Sequence, residues 1–339
     1  MMVKKWMFGA VALATAIVGH AEWPQFLGPA GNGIVDAQVV TSWSEDSNVQ
    51  WKTSIHGKAW SSPVVTGDDV WLTTATEDGT ELSVLRLNKN TGEIELDKKL
   101  FEVAEPQFCH KFNSYASPTP VIGEDHIYIT FGSPGTACLD LESGEVIWQR
   151  TDIECNHFRG AGSSPILHDE LVIMNYDGSD HHFILALDAK TGETAWRTER
   201  SIDYDDLDEN GKPKGDGDWR KAYATPHVTT LHGKPVLLSV GAKAIYGYEP
   251  KTGKEYFRVE SRVGHSSSVR PSVVGDMIYY TTGWGKGQFW SFKVNPDLTA
   301  NQDSIQLQLI KNMPKKPSPI FKGERIYLID DAGVASCLE

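Results

Sequence analysis

A proline motif recurs six times along this chain of 339 residues, and this internal repeat constrains the fold more than any other feature. Ser or Thr precedes the proline in five of the six copies. Repeats of about 40–50 residues are typical of the blades of β-propellers. The six copies are Ser62-Pro63, Ser117-Pro118, Ser164-Pro165, Thr225-Pro226, Arg270-Pro271 and Ser318-Pro319, and successive prolines lie 45 to 61 residues apart.

Each repeat contains four short segments with the composition of β-strands. An apolar pair such as Val64-Val65 follows the proline, and a turn such as Gly67-Asp68 comes next. Gly and Asp favour turns, whereas β-branched and aromatic runs such as Val70-Trp71-Leu72 favour strands. The sequence therefore predicts an all-β fold, a β-propeller of four-stranded antiparallel blades with about six blades visible. A β-sandwich with accidental repetition is the structural alternative.

A tight turn before the fourth strand gives the repeat its clearest signature. The block from Asp188 to Trp196 contains Gly192, which suits a turn that needs a positive φ. A large apolar residue follows the glycine by four positions, and we expect it to fill the space between neighbouring blades. The predicted blade-packing residues are Leu96, Trp148, Trp196 and Phe257, together with Trp51, which lies in the same slot of an incomplete copy.

These blocks resemble a known repeat. Asp188-Ala189-Lys190-Thr191-Gly192-Glu193, followed by Trp196, is similar to the pyrroloquinoline-quinone (PQQ)-type repeat. The segment Trp23 to Pro29 resembles the start of exported bacterial quinone-binding-like propellers. The resemblance covers about residues 23–339. It implies the propeller fold but not one function, since quinone-dependent alcohol dehydrogenases and the lipoprotein of the outer-membrane barrel assembly machinery share the repeat.

The resemblance also implies what a quinone dehydrogenase would need. In that family an adjacent cysteine pair stacks on the quinone, and an Asp acts as base beside a calcium ion. The four cysteines here, Cys109, Cys138, Cys155 and Cys337, are not adjacent to one another. We therefore do not expect PQQ as a cofactor.

The first 21 residues read as a secretory signal. Lys4 and Lys5 precede a short apolar run, and Ala21 offers a small residue for cleavage. Residues 22–339 are predicted to form the propeller, in an exported protein of the periplasm or the extracellular space. Residues 48–53 match only the end of a repeat, and we expect them to supply the outer strand of the last blade. The complete propeller would then have seven or eight blades, with the C-terminal part missing from this sequence.

The charge balance excludes some classes of partner. The formal net charge is −13, and no basic stripe interrupts it. Nucleic acids and anionic membrane surfaces both require clustered positive charge. We therefore expect no nucleic-acid partner. After removal of the signal, we also expect no stable membrane insertion, because no other segment is apolar enough.

Four histidines recur in equivalent loops before the blade-opening prolines. Such loops emerge on one end of a propeller and lean toward its axis, and loops on a rigid scaffold often carry function. We predict a polar rim that binds a ligand or partner. The alternative is that these groups cap strands and satisfy buried backbone. The predicted rim comprises His56, His110, Asn113, Tyr115, His157, Arg159, Arg220, His265 and Arg270.

Two further sites are predicted from spacing. Cys109 and Cys155 lie in loops of neighbouring repeats at one end, so a disulfide between them is a hypothesis. In the acidic insertion, Asp206, Asp208 and Asn210 match the first half of a calcium-binding loop. The second half does not match, because Gly217 occupies the position of the bidentate Glu. A solvated acidic loop is the alternative.

The predicted function is a non-catalytic exported scaffold or binding module whose loops at the channel mouth dock a protein or a carbohydrate. One alternative is a PQQ-dependent dehydrogenase. A second alternative is a polysaccharide hydrolase or lyase, which should place two or three carboxylates at the channel mouth. The predicted rim holds mostly His, Arg and Asn instead, so we predict no catalytic residue.

Overall fold

The computed structural model describes residues 22–35, 37, 40–285 and 287–339. The predicted signal, residues 1–21, lies outside the described residues. In the part that is described, the chain forms 23 β-strands and two short 3-10 helices, Lys214–Arg220 and Gln302–Ser304.

The strands fall into six consecutive antiparallel sheets, in agreement with the predicted β-propeller. Five sheets have four strands and the sixth has three. Within each sheet the strands neighbour one another in chain order, which is the connectivity of a propeller blade. The first three blades comprise β1 Val64–Thr66, β2 Asp69–Ala75, β3 Glu81–Asn88 and β4 Ile94–Glu102; β5 Val121–Ile122, β6 His126–Thr130, β7 Thr136–Asp140 and β8 Val146–Arg150; and β9 Ile166–His168, β10 Leu171–Asp177, β11 His182–Asp188 and β12 Thr194–Glu199.

The last three blades follow the same order. Blade 6 ends after its third strand and is the most exposed of the six; of its apolar residues only Leu328 is fully buried. The strands are β13 His227–Leu231, β14 Lys234–Gly241, β15 Ala244–Tyr248 and β16 Glu255–Glu260; β17 Ser272–Val274, β18 Met277–Thr281, β19 Phe289–Lys293 and β20 Ile305–Leu309; and β21 Ile320–Lys322, β22 Arg325–Ile329 and β23 Ala335–Leu338.

The second copy of the proline motif lies two residues later than predicted. Strand β5 begins directly after Pro120, as β1 begins after Pro63 and β9 after Pro165. Thr119-Pro120 is therefore the true copy, and Ser117-Pro118 belongs to the preceding loop. The sequence contains both dipeptides in succession, so spacing alone does not separate them.

Most of the core lies between neighbouring blades, and a smaller cluster of Val70, Leu72, Leu85 and Leu87 lies within blade 1. One buried cluster combines Trp71 and Val84 of blade 1 with Ile127 and Leu139 of blade 2. Equivalent clusters join blades 2 and 3, blades 3 and 4, and blades 4 and 5. The sheets of blades 2, 3 and 4 thus bury both faces against their neighbours. This face-to-face stacking fixes the blades radially and holds the connecting loops in place.

The signature turn packs each blade against the previous one. Trp148 lies over Gly192 of the next blade, where a Cβ would be 2.6 Å from the indole ring. The indole Nε1 also donates a hydrogen bond to the Ala189 carbonyl oxygen, at 3.0 Å. Gly192 has φ = 73°. Glycine is therefore required both for the turn conformation and for the space that the tryptophan fills.

The other large residues of the repeat lie in equivalent places. Trp196 donates to the Pro250 carbonyl of blade 4 at 3.1 Å, and Trp51 donates to the Lys89 carbonyl of blade 1 at 2.7 Å. Leu96 packs on Gly144, and Phe257 forms an edge contact with Phe292 of blade 5. Residues 48–53 form no strand, so the predicted outer strand is not paired within the described chain, although Trp51 lies in its expected slot.

A chain of hydroxyl groups links the first four blades near the axis. The hydroxyl residue before each blade-opening proline accepts a hydrogen bond from the equivalent backbone N–H of the preceding blade. The three bonds are Ser62 N to Thr119 Oγ1 at 3.0 Å, Thr119 N to Ser164 Oγ at 2.9 Å, and Ser164 N to Thr225 Oγ1 at 3.1 Å.

The N-terminal segment runs across the inner strands. Trp23 exchanges two backbone hydrogen bonds with Val65 of blade 1, and the Pro24 carbonyl accepts from the Ile122 N–H of blade 2. Arg270 of the loop before blade 5 donates to the Phe26 carbonyl at 3.1 Å. Residues 23–26 therefore bridge blades that are distant in sequence. In the described part of the chain, no helix is long and apolar enough to cross a membrane.

Candidate functional site

The strand order determines which loops share one end of the propeller. In a four-stranded antiparallel blade, the loop before the first strand and the turn between strands two and three lie on the same side. We call this side the loop end. The turns between strands one and two and between strands three and four, including the glycine turns, lie on the opposite end.

A cavity of about 520 Å³ opens at the loop end. The loops before blades 2, 3, 4, 5 and 6 contribute to its wall, as do the N-terminal segment and one turn of blade 5. Its size is in the range of pockets that hold small ligands or a few side chains. The lining residues are Phe26, His110, Phe112, Asn113, Ser117, Arg159, Gly162, Asp218, Tyr223, Thr225, His265, Ser266, Ser268, Trp284, Lys315 and Lys316.

One wall of the cavity combines aromatic rings with lysine side chains. The Nζ atom of Lys315 lies 4.8 Å from the ring centroid of Trp284, and that of Lys316 lies 5.6 Å from the same ring. Lys316 Nζ is also 6.0 Å from the ring of Phe112. Cation–π contacts of this kind stabilise an ammonium group beside an exposed ring. They place positive charge next to apolar surface at the mouth.

The opposite wall carries the only carboxylate among the described lining residues. Asp218 forms ion pairs with Arg159, at 3.4 Å, and with the fully buried Lys221. The ammonium group of Lys221 also donates to the Asp218 carbonyl oxygen at 2.7 Å. Burial lowers the pKa of Lys221 to about 7, and the nearby Arg159 contributes in the same direction. The charge of Asp218 is thus already engaged by the protein's own cations.

The two histidines of the cavity lie in electropositive surroundings. Burial lowers the pKa of His265 to about 4, with Lys221 and Arg159 adding to the effect. Burial and the neighbouring Arg159 also lower the pKa of His110. Both imidazoles are therefore neutral at pH 7 and can take part in hydrogen bonds in either direction.

The structure brings four of the predicted rim residues together at this cavity. His110, Asn113, Arg159 and His265 all line it. Asn113 has a supporting role as well, because its amide group donates to the carbonyl oxygens of Arg159 and Ala161 at 3.0 and 2.9 Å. These bonds tie the loop before blade 2 to the loop before blade 3.

Three predicted rim residues lie away from the cavity. His56 is on the surface of blade 1, where its Nε2 is 3.0 Å from Asp97 Oδ2. Tyr115 is partly buried and donates its hydroxyl to the Gln107 carbonyl at 2.8 Å. His157 is buried, and its Nε2 accepts from the Ser133 N–H at 2.9 Å. Tyr115 and His157 thus form hydrogen bonds with backbone groups, which is the alternative role that the sequence left open.

The two remaining arginines also do not reach the rim. Arg220 binds Asp206 through its Nε, at 3.0 and 3.2 Å to the two carboxylate oxygens, and stacks on Tyr204. Arg270 is buried near the axis, because it occupies the position that hydroxyl residues hold in earlier blades. Burial lowers the pKa of Arg270 to about 10. Its guanidinium packs against Gly31 of the N-terminal segment.

The residues of the predicted calcium loop make other contacts in the structure. The carboxylate of Asp206 is buried against Arg220, which occupies both oxygens. Asp208 caps a turn instead, since its Oδ1 accepts from the N–H groups of Asn210 and Lys212 at 2.8 Å each. In the described residues, no cluster of three or more His, Cys, Asp or Glu side chains could hold a metal ion.

The predicted disulfide between Cys109 and Cys155 is absent, and all four cysteines are free thiols. The two sulfur atoms face different partners. Cys109 Sγ lies 3.6 Å from the Arg159 carbonyl oxygen, whereas Cys155 Sγ lies 3.9 Å from His157 Nδ1 and 3.9 Å from the His181 carbonyl oxygen. Burial raises the pKa of both thiols, so neither is activated as a nucleophile.

The sequence analysis missed the aromatic and lysine residues of the cavity. Phe112 follows His110 in a loop already singled out, and Trp284 lies in a Gly-Trp-Gly turn at the same end. Lys315 and Lys316 precede the sixth proline motif. The lysines lie before a blade-opening proline, as the histidines do, so loop position together with positive charge is the sequence signal that identifies them.

Comparison with known proteins places the chain in a family. A model of the family described as outer membrane protein assembly factor BamB matches residues 33–151, 97–213 and 184–337. These overlapping matches together cover nearly the whole propeller. The chain belongs to this family. No curated protein sequence matches it.

A solved structure agrees with the fold of this BamB-family propeller. The crystal structure of BamB from Moraxella catarrhalis is 18% identical, with a TM-score of 0.62 over 86% of this chain and 77% of that chain. A quinohemoprotein alcohol dehydrogenase from Comamonas testosteroni is 14% identical, with a TM-score of 0.46 over 84% of this chain and 43% of that chain. The similarity to BamB supports the propeller architecture, and the second score is too low to support an argument about function.

Proposed function

We propose that this protein is a non-catalytic scaffold that binds a polypeptide partner through the loop end of its propeller. The observation that carries the proposal is the convergence of seven chain segments on one cavity with aromatic and cationic walls. A rigid disc whose loops meet at a single mouth is well suited to recognition, because the scaffold orders the loops before the partner arrives.

The exposed aromatic rings at this end support a protein partner. Phe112 is 70% exposed, Phe108 is 62% exposed and Trp284 is 46% exposed, and all three lie in loop-end segments. Aromatic residues are enriched at protein interfaces, and an exposed apolar patch marks a candidate binding surface. Burial of such rings against a partner would provide most of the binding free energy.

Family membership supports the class of partner and the compartment. The family is described as an outer membrane protein assembly factor. We therefore infer that the chain is exported, that it works in the periplasm and that its partner is a protein of outer-membrane assembly. The absence of a cluster of carboxylates at the cavity, where Asp218 is the single one among the described lining residues, favours binding over polysaccharide cleavage.

Photo-crosslinking from the two ends of the propeller tests the proposal. A photoreactive phenylalanine analogue replaces Phe112 at the loop end in one variant and Lys251 at the opposite end in the other. Lys251 is exposed and lies in the glycine turn of blade 4, so neither substitution disturbs the core. With the full-length protein in its native cell envelope, we expect a discrete crosslinked protein from position 112 and none from position 251.

Equal crosslinking from both positions, or crosslinking from position 251 alone, would contradict the proposal.

A titration with PQQ and calcium, followed by tryptophan fluorescence, addresses the dehydrogenase alternative. Saturable quenching at about micromolar concentration, the scale of ordinary cofactor sites, would favour a redox enzyme instead.

A further inference from the structure

We propose that the loop-end cavity binds an acidic peptide segment that carries one aromatic or large aliphatic side chain. This inference rests on the proposed function and specifies the chemistry of the partner segment. The occupant is a short stretch of chain rather than a folded domain, since a cavity of about 520 Å³ holds only a few side chains.

The charge of the cavity selects an anionic occupant. Among the described lining residues, the cationic side chains of Arg159, Lys315 and Lys316 face one carboxylate, that of Asp218. Asp218 is already paired with Arg159 and Lys221, and Asp331, outside the lining, pairs with Lys316 at 2.7 Å. The three lining cations still outnumber these two carboxylates. The mouth is therefore electropositive on a chain whose formal net charge is −13. Charge complementarity would attract acidic segments to this site and repel them from the rest of the surface.

The lysines and the rings offer two kinds of contact side by side. Lys315 and Lys316 both lie against Trp284, and Lys316 also approaches Phe112. An apolar side chain that enters between these rings would place neighbouring carboxylates within reach of the ammonium groups. This geometry accommodates a peptide in which an apolar side chain is flanked by acidic residues.

The histidine of the wall agrees with this electrostatic picture. Burial is the largest cause of the lowered pKa of His265, and Lys221 and Arg159 lower it further, so the surroundings of this imidazole disfavour an added positive charge. A cationic or neutral peptide would gain no favourable charge interaction with these cations. An acidic peptide would relieve the mutual repulsion of the cations around it.

Fluorescence anisotropy with labelled peptides tests this inference on the full-length protein. The probe is fluorescein-labelled Asp-Glu-Phe-Asp-Glu, compared with Asn-Gln-Phe-Asn-Gln and with Asp-Glu-Ala-Asp-Glu. We expect the first peptide to bind at least about tenfold more tightly than either of the others, a difference of about 1.4 kcal/mol. Its affinity should fall as the salt concentration rises, because exposed charges are screened.

Matched charge variants locate the site. Lys315→Gln with Lys316→Gln should weaken binding of the first peptide about tenfold. The control is Lys190→Gln with Lys251→Gln, which removes the same charge from two exposed lysines in glycine turns at the opposite end. The control should leave affinity within about twofold. Thermal unfolding of both double variants establishes that they are folded.

Any of four results would overturn the inference. Equal affinity for the acidic and amide peptides would exclude charge recognition, and an equal loss in both double variants would show non-specific attraction. Displacement of the peptide by equimolar PQQ, a planar polycarboxylate, would assign the cavity to a small molecule. If no peptide binds while crosslinking from position 112 persists, this inference fails and the proposed function stands.

Discussion

Individual buried histidines link the stability of this propeller to pH. Burial lowers the pKa of His157 to about 4 and that of His227 to about 3. In the unfolded chain a histidine has a pKa of about 6.5. Because the folded pKa is lower, the unfolded state takes up protons first as the pH falls. Stability from these residues is thus complete above about pH 6.5 and is lost progressively toward pH 4.

Replacement of His157 by Gln should flatten this pH dependence. The Gln side-chain oxygen can accept the hydrogen bond that the Ser133 N–H now donates to His157 Nε2 at 2.9 Å. The wild type should lose about 2 kcal/mol more unfolding free energy than the variant between pH 7 and pH 4.5. Urea unfolding at the two pH values measures the difference. An equal loss in both proteins would mean that His157 does not remain neutral in the folded state.

The hydroxyl chain near the axis gives a second test with a single residue. Thr119→Val keeps the shape of the side chain but leaves the Ser62 N–H without its acceptor. We expect a loss of about 1–3 kcal/mol in unfolding free energy, the cost of a buried unsatisfied donor. Thr119→Ser keeps the hydroxyl and is the control, and it should lose less in the same denaturant titration. A larger loss in the serine variant would show that the methyl group matters more than the hydrogen bond.

For single residues, the sequence predicted the place of a side chain in the fold better than it predicted the role of that side chain. His110, Asn113, Arg159 and His265 reach the cavity because loop position relative to the proline decides which end a residue occupies. His157 and Tyr115 lie in the same loops but point inward to satisfy backbone groups. Which way a loop side chain turns depends on its neighbours in space, and a single sequence does not contain that information.

Among the structural elements, the glycine turn between the third and fourth strands determines how closely neighbouring blades pack. Gly192 and Gly211 have nearly the same φ, 73° and 74°. A Cβ at Gly192 would lie 2.6 Å from the Trp148 ring, whereas a Cβ at Gly211 would meet nothing within 4 Å. The pair therefore separates the cost of the backbone conformation from the cost of crowding the neighbouring blade.

Alanine at these two glycines should have unequal effects. Gly211→Ala should lower the free energy of unfolding by about 1 kcal/mol, since only the left-handed conformation is penalised. Gly192→Ala should cost about 1–3 kcal/mol more, the usual effect of overpacking a well-packed interface. Thermal or urea unfolding of both variants provides the comparison. Equal losses would show that the turn conformation alone explains the glycine.

The elements themselves were predictable where the pattern repeats. Turn glycines and β-branched runs identify the strands of the regular blades, because each blade meets the same packing demands. The second proline motif was misplaced because Pro118 and Pro120 both fit the pattern. The acidic insertion before blade 4 has no counterpart in other repeats. Its ion pair between Asp206 and Arg220 therefore could not be inferred from the repeat.

Over the whole molecule, radial stacking of the blades brings distant segments to one place. The cavity joins Phe26, His110, His265 and Lys315, which are separated by most of the chain. The radial arrangement of the repeats around an axis explains this convergence, and the strand order explains why the glycine turns lie at the opposite end. We therefore propose that the loop end binds the partner and that the glycine turns at the opposite end set the spacing of the blades.

Hydrogen–deuterium exchange tests that assignment most directly, by comparing the free protein with the protein purified together with its crosslinking partner. The account predicts slower exchange in the loops at residues 103–120, 151–165, 261–271 and 310–319. The glycine turns at residues 89–92, 190–192 and 251–253 should exchange at unchanged rates. Protection confined to those turns, with unchanged exchange in the loops around the cavity, would contradict the assignment of the binding site to the loop end.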